Sequence, residues 1–444
     1  MNDMYRRGFC LGLLSLCCAV AAAAQEVAPL ALTLEEAIAQ GLANSMRIAE
    51  LQGRSDAAEA VEAGAGAARL PVVALQGGYM RTNHVEEFTV AQPGQPPRVL
   101  YPDEPDNYRA RLDLQWPIYT AGRTGALERA ARAERDAAGE DLAAARADLR
   151  LEITRSYWAL VTARDTERVL ERSLASIDAH VRDLRNRLEQ GLIPPNEVLS
   201  AEAQQARERL LAIEAGNTRA IAEADLRRLL GVEGIRRIEP QATLETSPPP
   251  APRAETLIEQ ARGSRPERKA LEDRAAAAQA RVDAAGAGAR PQVGVAAGYD
   301  YARPNPRIFP RVGEWNDSWD VSVNVSWSLW DGGRNRAERA EAAAVASSVK
   351  ARAADFDRQL AFEVTQRRME LDSSRAAIAV ANTGVKAAVE ARRVLGDRFA
   401  AGVATSTEVL DAETAVMQAE LSLTRALANV RLAEARLARA VGRD

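Results

Sequence analysis

The sequence predicts a mainly α-helical chain with transmembrane β-strands: a long antiparallel coiled-coil helical barrel plus four membrane strands, built as two internal structural repeats. Three observations lead there. A strand–turn–helix stretch occurs twice, as WPIYTAGRT from Trp116 and WSLWDGGRN from Trp327. The same offset of 211 residues relates Gly191 to Gly402, Glu197 to Glu408, Glu202 to Glu413 and Gly231 to Gly442 without a gap, which is the mark of a duplicated structural unit. Four segments alternate apolar with small polar residues over the length a tilted strand needs to cross a bilayer. The remainder is rich in Ala, Leu, Arg and Glu, and the whole chain is 47% hydrophobic but only 5% aromatic, a mixture typical of long helices with narrow seams.

Composition narrows the function classes. A net charge of −4 argues against a nucleic-acid binder. Residues 1–24 read as a cleaved secretory signal, with Arg6 and Arg7 ahead of the apolar run from Phe9 to Val20 and Ala22-Ala23-Ala24 before Gln25. All three cysteines (Cys10, Cys17, Cys18) fall inside it, so the mature chain is expected to carry no disulfide, thiol nucleophile or Cys-metal site. A lipid anchor on Cys17 or Cys18 is disfavoured by Leu16, which is large for the position before a lipidated cysteine. The only histidines, His84 and His180, are far apart, so no metal site is expected. No clustered catalytic or phosphate-loop motif points to an enzyme or to a cofactor.

The first repeat, 25–238, opens with a helical pattern over 33–69. Thr33 and Glu36 are spaced as a capping box, and Pro71 ends the helix. A strand over ~72–80 places Val73, Leu75 and Tyr79 on one face. Residues 80–108, rich in Pro, Gly and acid, read as an exposed loop. A sharper strand over ~109–119 sets Ala110, Leu112, Leu114 and Trp116 against Arg111, Asp113 and Gln115. From Thr124 to Gln190 there is no proline, which predicts a helix of roughly 100 Å. Its distal part carries the heptad seam Leu170, Leu174, Ile177, Val181, Leu184 and Leu188. Gly191 stops it, Pro194-Pro195 starts the next helix (~196–231), and a proline-rich linker follows at 239–254. The second repeat, 255–444, has a helix over 255–289, strands over ~291–301 and ~319–330, a long helix over ~334–401 and a last helix over ~406–441. In its second strand Trp319, Val321, Val323, Val325, Trp327 and Leu329 alternate with Asp320, Ser322, Asn324, Ser326 and Ser328.

The same alternation fits a half-buried soluble sheet, but aromatic placement favours a membrane barrel. Trp116, Trp315, Trp319, Trp327 and Trp330 sit in or beside the strands, as an interfacial girdle requires. Four strands cannot close a barrel and lipid tolerates no open edge, so several chains must share one; three would supply twelve strands. The helices lack an apolar run long enough to span and are expected to project into water as a tube.

With these pieces in view, the mature chain resembles the outer-membrane efflux protein family, the TolC-like channel-tunnels. The likeness rests on RLPVVALQGGY and RPQVGVAAGY, WPIYTAGR and WSLWDGGR, RLEQGLIPPNEVLSAE, and above all RFAAGVATSTEVLDAE. It implies a homotrimer with a shared 12-stranded β-barrel in outer-membrane lipid and a periplasmic tunnel in a Gram-negative cell. It also implies docking to a periplasmic adaptor (membrane fusion) protein and to an inner-membrane transporter of the resistance-nodulation-division or ABC type. The function it implies is a passive exit duct of a tripartite efflux or type I secretion system, with drugs or other small molecules ranked ahead of protein cargo, and no catalysis. The competing reading is a soluble periplasmic coiled-coil adaptor or scaffold, which would explain the heptads but not the four strands.

The resemblance also singles out residues. Acidic positions at the helix tip ring the closed entrance in this family; the matching ones are Asp411, Glu408 and Glu197. Capping competes with a gate role at Glu408, since Thr405 and Glu408 are spaced as a capping box, and at Glu197, which suits a helix first turn. A basic latch residue common two positions after the tip glycine is here Ala404. Gly191 and Gly402 are expected as left-handed turn residues that adaptors contact. Gly122, Arg123, Gly333 and Arg334 form the strand-to-helix bends.

Overall fold

The computed structural model describes residues 30–232, 237–244 and 252–443; the signal segment with its three cysteines, and residues 245–251 of the proline-rich linker, lie outside the described residues. The first half runs β1 (Leu30–Leu32), α1 (Leu34–Asn44), α2 (Met46–Ala67), β2 (Val72–Arg81), β3 (Phe88–Val90), β4 (Arg98–Tyr101), β5 (Asp106–Tyr119), α3 (Arg123–Glu189) and α4 (Pro195–Leu230). The second runs β6 (Ile238–Pro240), α5 (Ala254–Ser264), α6 (Pro266–Gly286), β7 (Gln292–Arg303), β8 (Asn316–Ser326), α7 (Arg334–Ala400) and α8 (Ser406–Val441). The two long helices, α3 and α7, have 67 residues each, and α4 and α8 have 36 each. Among the described residues no helix is long and apolar enough to cross a membrane.

Five expectations need correction. The helix expected over 33–69 breaks at Ser45, which is extended (φ −75°, ψ 116°) and whose Oγ accepts from the Ile48 amide at 3.4 Å. Serine caps well because its side chain competes with the helix for backbone partners. The helix expected over 255–289 breaks at Arg265, because Pro266 pushes the residue before it out of the helical region. The loop 80–108 contains the hairpin β3–β4. The strand expected over 319–330 stops at Ser326, since the next partner on β7 is Pro291, which has no N–H to give. The linker expected from 239 begins as β6, which pairs in parallel with β1.

Strands β2, β5, β7 and β8 form one antiparallel sheet in that order. The helices above each strand follow the same lateral order: α2 packs on α3, α3 on α6 and α6 on α7. Further along, α3 packs on α4 and α8, and α8 on α7. The heptad seam of α3 is buried there: Ile177, Val181 and Leu184 close on Val198, Ala201 and Leu410.

The main core sits mid-length, where Ile153, Tyr157, Leu160, Leu226 and Leu230 of α3 and α4 enclose Leu32 and Ile238 of the β1–β6 pair. Tyr157 is fully buried at 0% exposure. Its hydroxyl donates to the Leu32 carbonyl at 3.0 Å and accepts from the Ala242 amide at 3.2 Å, which ties both chain segments to α3. Tyr157→Phe leaves the Ala242 amide without its partner, while the Leu32 carbonyl keeps the Gln241 N–H at 3.0 Å; the expected loss is about 2 kcal/mol, read as a lower urea midpoint of the detergent-solubilised protein, and an unchanged midpoint would show that the strands are held elsewhere.

Candidate functional site

The sheet reverses the usual distribution of polarity. In register across it, Leu75, Leu112, Tyr299 and Trp319 line up on one face, and Val73, Leu114, Ala297 and Val321 on the next rung. This apolar face is open: Trp319 is 69%, Val323 67% and Leu75 77% exposed. The opposite face holds charges and shields them. Arg111 spans β5 to β8, donating to Asp300, to Asp113 at 2.6 Å and to Asp320 at 3.3 Å. Arg109 reaches Asp300 at 2.5 Å, and Arg307, from the loop after β7, reaches Asp320 at 2.8 Å. Asp300 is 4% exposed. Gly298 makes the network possible, because a Cβ there would run into the Arg111 guanidinium. Period-two alternation put Arg111 and Asp113 on the polar face; that Asp300 and Asp320 stand opposite them follows from a register that a single sequence does not specify.

At the strand-to-helix bends, Gly122 and Gly333 take left-handed backbone (φ 88° and 90°), as the bend requires. The residue before each is left-handed too, Gly332 at φ 68° and Ala121 at φ 53°. The bends are secured by residues the sequence reading passed over. Asp331 accepts from the Gly333 and Asn335 amides, both at 2.9 Å, and Thr120 accepts from the Thr124 amide at 3.3 Å. A short polar residue before Gly-Gly or Ala-Gly was the available signal. The Arg123 side chain is exposed and, among the described residues, the Arg334 guanidinium reaches only Glu338 of its own helix, 3.6 Å away; it is their backbone N–H groups, donating to the Thr120 (3.0 Å) and Asp331 (3.4 Å) carbonyls, that help close the bends.

The tip turns use Gly191 (φ 70°) and Gly402 (φ 74°). The Glu408 carboxylate accepts from the Thr405 amide at 2.7 Å, and the Thr405 hydroxyl accepts from the Glu408 amide at 3.3 Å, a complete capping box. The Thr405 backbone N–H, then its hydroxyl, hold the Glu408 carboxyl below the usual carboxylate range. Glu197 lies in the first turn of α4, which has no side-chain cap. Asp411 is exposed and makes no hydrogen bond or ion pair among the described residues.

His180 is a strut between the two halves. It sits within hydrogen-bond distance of Ser406 (Nε2 to Oγ, 2.9 Å), with its ring 5.4 Å from that of Phe399, over which Arg187 lies at 4.6 Å. His84 pairs with Asp103 at 2.7 Å in the exposed loop. Among the described residues no cluster of potential metal ligands exists.

An apolar belt turned outward, shielded charges on the reverse face and long polar helices beyond the strands describe a membrane duct. The profile of one family, "Outer membrane efflux protein", matches residues 37–232 and 257–443. The chain belongs to this family. Its place is the outer membrane of a Gram-negative cell, and it is an efflux channel. Outer membrane protein TolC of Vibrio cholerae is 24% identical over 421 residues, covering 92% of this chain and 90% of that protein. The solved structure of CusC superposes with a TM-score of 0.79 at 17% identity, covering 93% of this chain and 92% of that one. VceC of Vibrio cholerae gives 0.76 at 21% identity, covering 92% and 96%. At these identities the structural likeness shows the fold. Family membership sets aside the soluble scaffold reading.

Burial pushes the His180 imidazole below the ordinary histidine value, against the pull of Asp183, Glu413 and Glu197. The unfolded chain therefore takes up this proton more readily than the folded one. The stability is fully present above the ordinary histidine value and drains as pH falls below it. His180→Phe is expected to flatten the loss of unfolding stability between about pH 8 and pH 5; an unchanged pH slope would show that other groups set it.

Proposed function

We propose that three copies of this chain close one twelve-stranded barrel, and that the helices form a periplasmic tunnel serving as the passive exit duct of a tripartite efflux system for small molecules. The observation that carries this reading is the pair of open edges. Among the described residues β2 pairs only with β5, and β8 only with β7. An unpaired ladder in hydrocarbon costs several kcal/mol per group, so each edge needs the opposite edge of a neighbour. The helices carry matching flanks. Exposed Leu210, Ile213 and Ile221 lie on α4, on the β2 side, and exposed Phe362, Met369 and Val380 lie on α7, on the β8 side. A periplasmic adaptor at the Gly191 and Gly402 turns, and an inner-membrane transporter of the resistance-nodulation-division or ABC type, complete the pathway. The duct contributes gating and no chemistry. The detergent-corrected mass of the purified mature protein should equal three chains; a detergent-free soluble monomer would overturn the reading.

At the tip, Asp411 is the stronger gate candidate of the three acids. It has no capping duty, whereas Glu408 is committed to Thr405 and Glu197 is placed to favour the helix dipole. Three copies brought to one axis would make a negative constriction that selects cations. Asp411→Asn is expected to lower cation preference in a planar bilayer while leaving the α8 cap intact. Glu408→Gln should mainly loosen the turn and raise resting conductance. Equal selectivity in wild type and Asp411→Asn would remove Asp411 from the gate.

A further inference from the structure

We propose that the junction between the sheet and the helices of the second half holds the phosphate of an anionic phospholipid headgroup. The proposal rests on the reading that the strands sit in the outer membrane, which puts this junction level with the phospholipid headgroups on the helix side of the bilayer. A cavity of about 740 Å³ opens there, between the ends of β7 and β8 and the helices α3, α6 and α7. Its lining includes Arg123, Arg281, Arg290 and Arg334, with Glu338 the one acid.

These arginines are poorly neutralised. Arg281 is held by Glu134 at 3.0 Å, and among the described residues Arg334 has only the longer 3.6 Å contact with Glu338. Arg123 and Arg290 have no acid within ion-pair distance among the described residues, and both are exposed. The first half provides an internal control. There Arg69, just before β2, is paired with Glu128 of α3. The residue 211 positions on from Glu128 is Arg339. At that position the second half has a base, and its own acid, Glu338, sits one residue earlier and contacts Arg334 instead of Arg290, the arginine that precedes β7.

The same place supplies an apolar contact. Trp327 lines the cavity and anchors its indole N–H on the Ala289 carbonyl at 3.1 Å. Beyond it, just past the β8 edge, Leu329 and Trp330 are 78% and 88% exposed in the single chain. Guanidinium forks for a phosphate beside exposed interfacial aromatics match a lipid with a charged head and two chains. Space also matters here: a Cβ at Gly288, in the cavity wall, would collide with the Asn335 side chain.

The test is native mass spectrometry of the detergent-purified assembly, titrated with phosphatidylglycerol, phosphatidylcholine or inorganic phosphate. Retention of phosphatidylglycerol at about tenfold lower concentration than phosphatidylcholine is expected, given the attraction each interfacial basic residue adds. The triple variant Arg123→Gln, Arg290→Gln, Arg334→Gln should lose that preference, while Arg358→Gln, at an exposed site further along α7, should keep it. Equal retention of the two lipids, a preference that survives in the triple variant, or displacement of the lipid by millimolar inorganic phosphate would each overturn the assignment. Three-chain mass and single-channel conductance in the same variant report on the duct separately, so loss of the lipid preference alone leaves that reading standing.

Discussion

The structure depends on one constraint: a four-stranded sheet whose outward face is apolar cannot end in hydrocarbon with unpaired backbone. β2 and β8 each present one free ladder. Water would satisfy these groups, but water would also have to cover Trp319, Val321, Val323 and Val325, each more than half exposed. Lipid covers the side chains and leaves the edges unmet. The pairing between copies proposed above would satisfy both demands, and it accounts for the exposed apolar positions of α4 and α7 lying on the same flanks as the two edges. In that assembly, association is the condition for the strands to exist in the membrane.

The reverse face meets the complementary problem. Arg111, Asp113, Asp300 and Asp320 lie where three strands converge, and a lone buried charge there would cost far more than it returned. The sheet resolves this by sharing. Arg111 spreads its donors over three carboxylates, Arg109 covers the second oxygen of Asp300, and Arg307 joins Arg111 on the Oδ1 of Asp320. The loop after β7 is drawn in by the same exchange, since Arg307 also donates to the Trp319 carbonyl at 2.7 Å. A network that crosses β5, β7 and β8 also opposes register slips, because a one-residue shift would turn each of these side chains to the lipid face.

Local signals were legible where one residue type has one physical role. Alternation located all four long strands, because one face of the sheet is apolar and the other carries the polar and charged residues. Proline absence located the long helices, and the glycines of the tips and bends stand where left-handed backbone requires them. The misses share a different cause. The breaks at Ser45 and Arg265 are single-residue caps inside otherwise continuous helical patterns. The early end of β8 depends on its partner, Pro291, and not on its own sequence. The β1–β6 pair and the Asp300–Arg111 network join residues about two hundred positions apart, a separation that local pattern does not reach. His180 read as an isolated histidine on a helix because Ser406 and Phe399, its neighbours, come from the other half of the chain.

The proportions of the helices bear on how such a duct can move. Each of α3 and α7 runs 67 residues without interruption, about 100 Å at 1.5 Å per residue. Such a rod bends gently along its length but concentrates sharp changes at its ends. The ends are where this chain places its left-handed residues, Ala121 and Gly122 above and Gly191 below in one half, Gly332 and Gly333 above and Gly402 below in the other. The two tips are not equivalent. Thr405 and Glu408 lock the turn into α8, while the turn into α4 relies on Pro194 and Pro195 with no side-chain cap. The His180 strut then binds the locked turn to α3 of the uncapped half. In the proposed duct, the uncapped Gly191 turn is the one expected to yield first, and the His180–Ser406 contact is the side-chain link by which α3 would carry that change to the second tip.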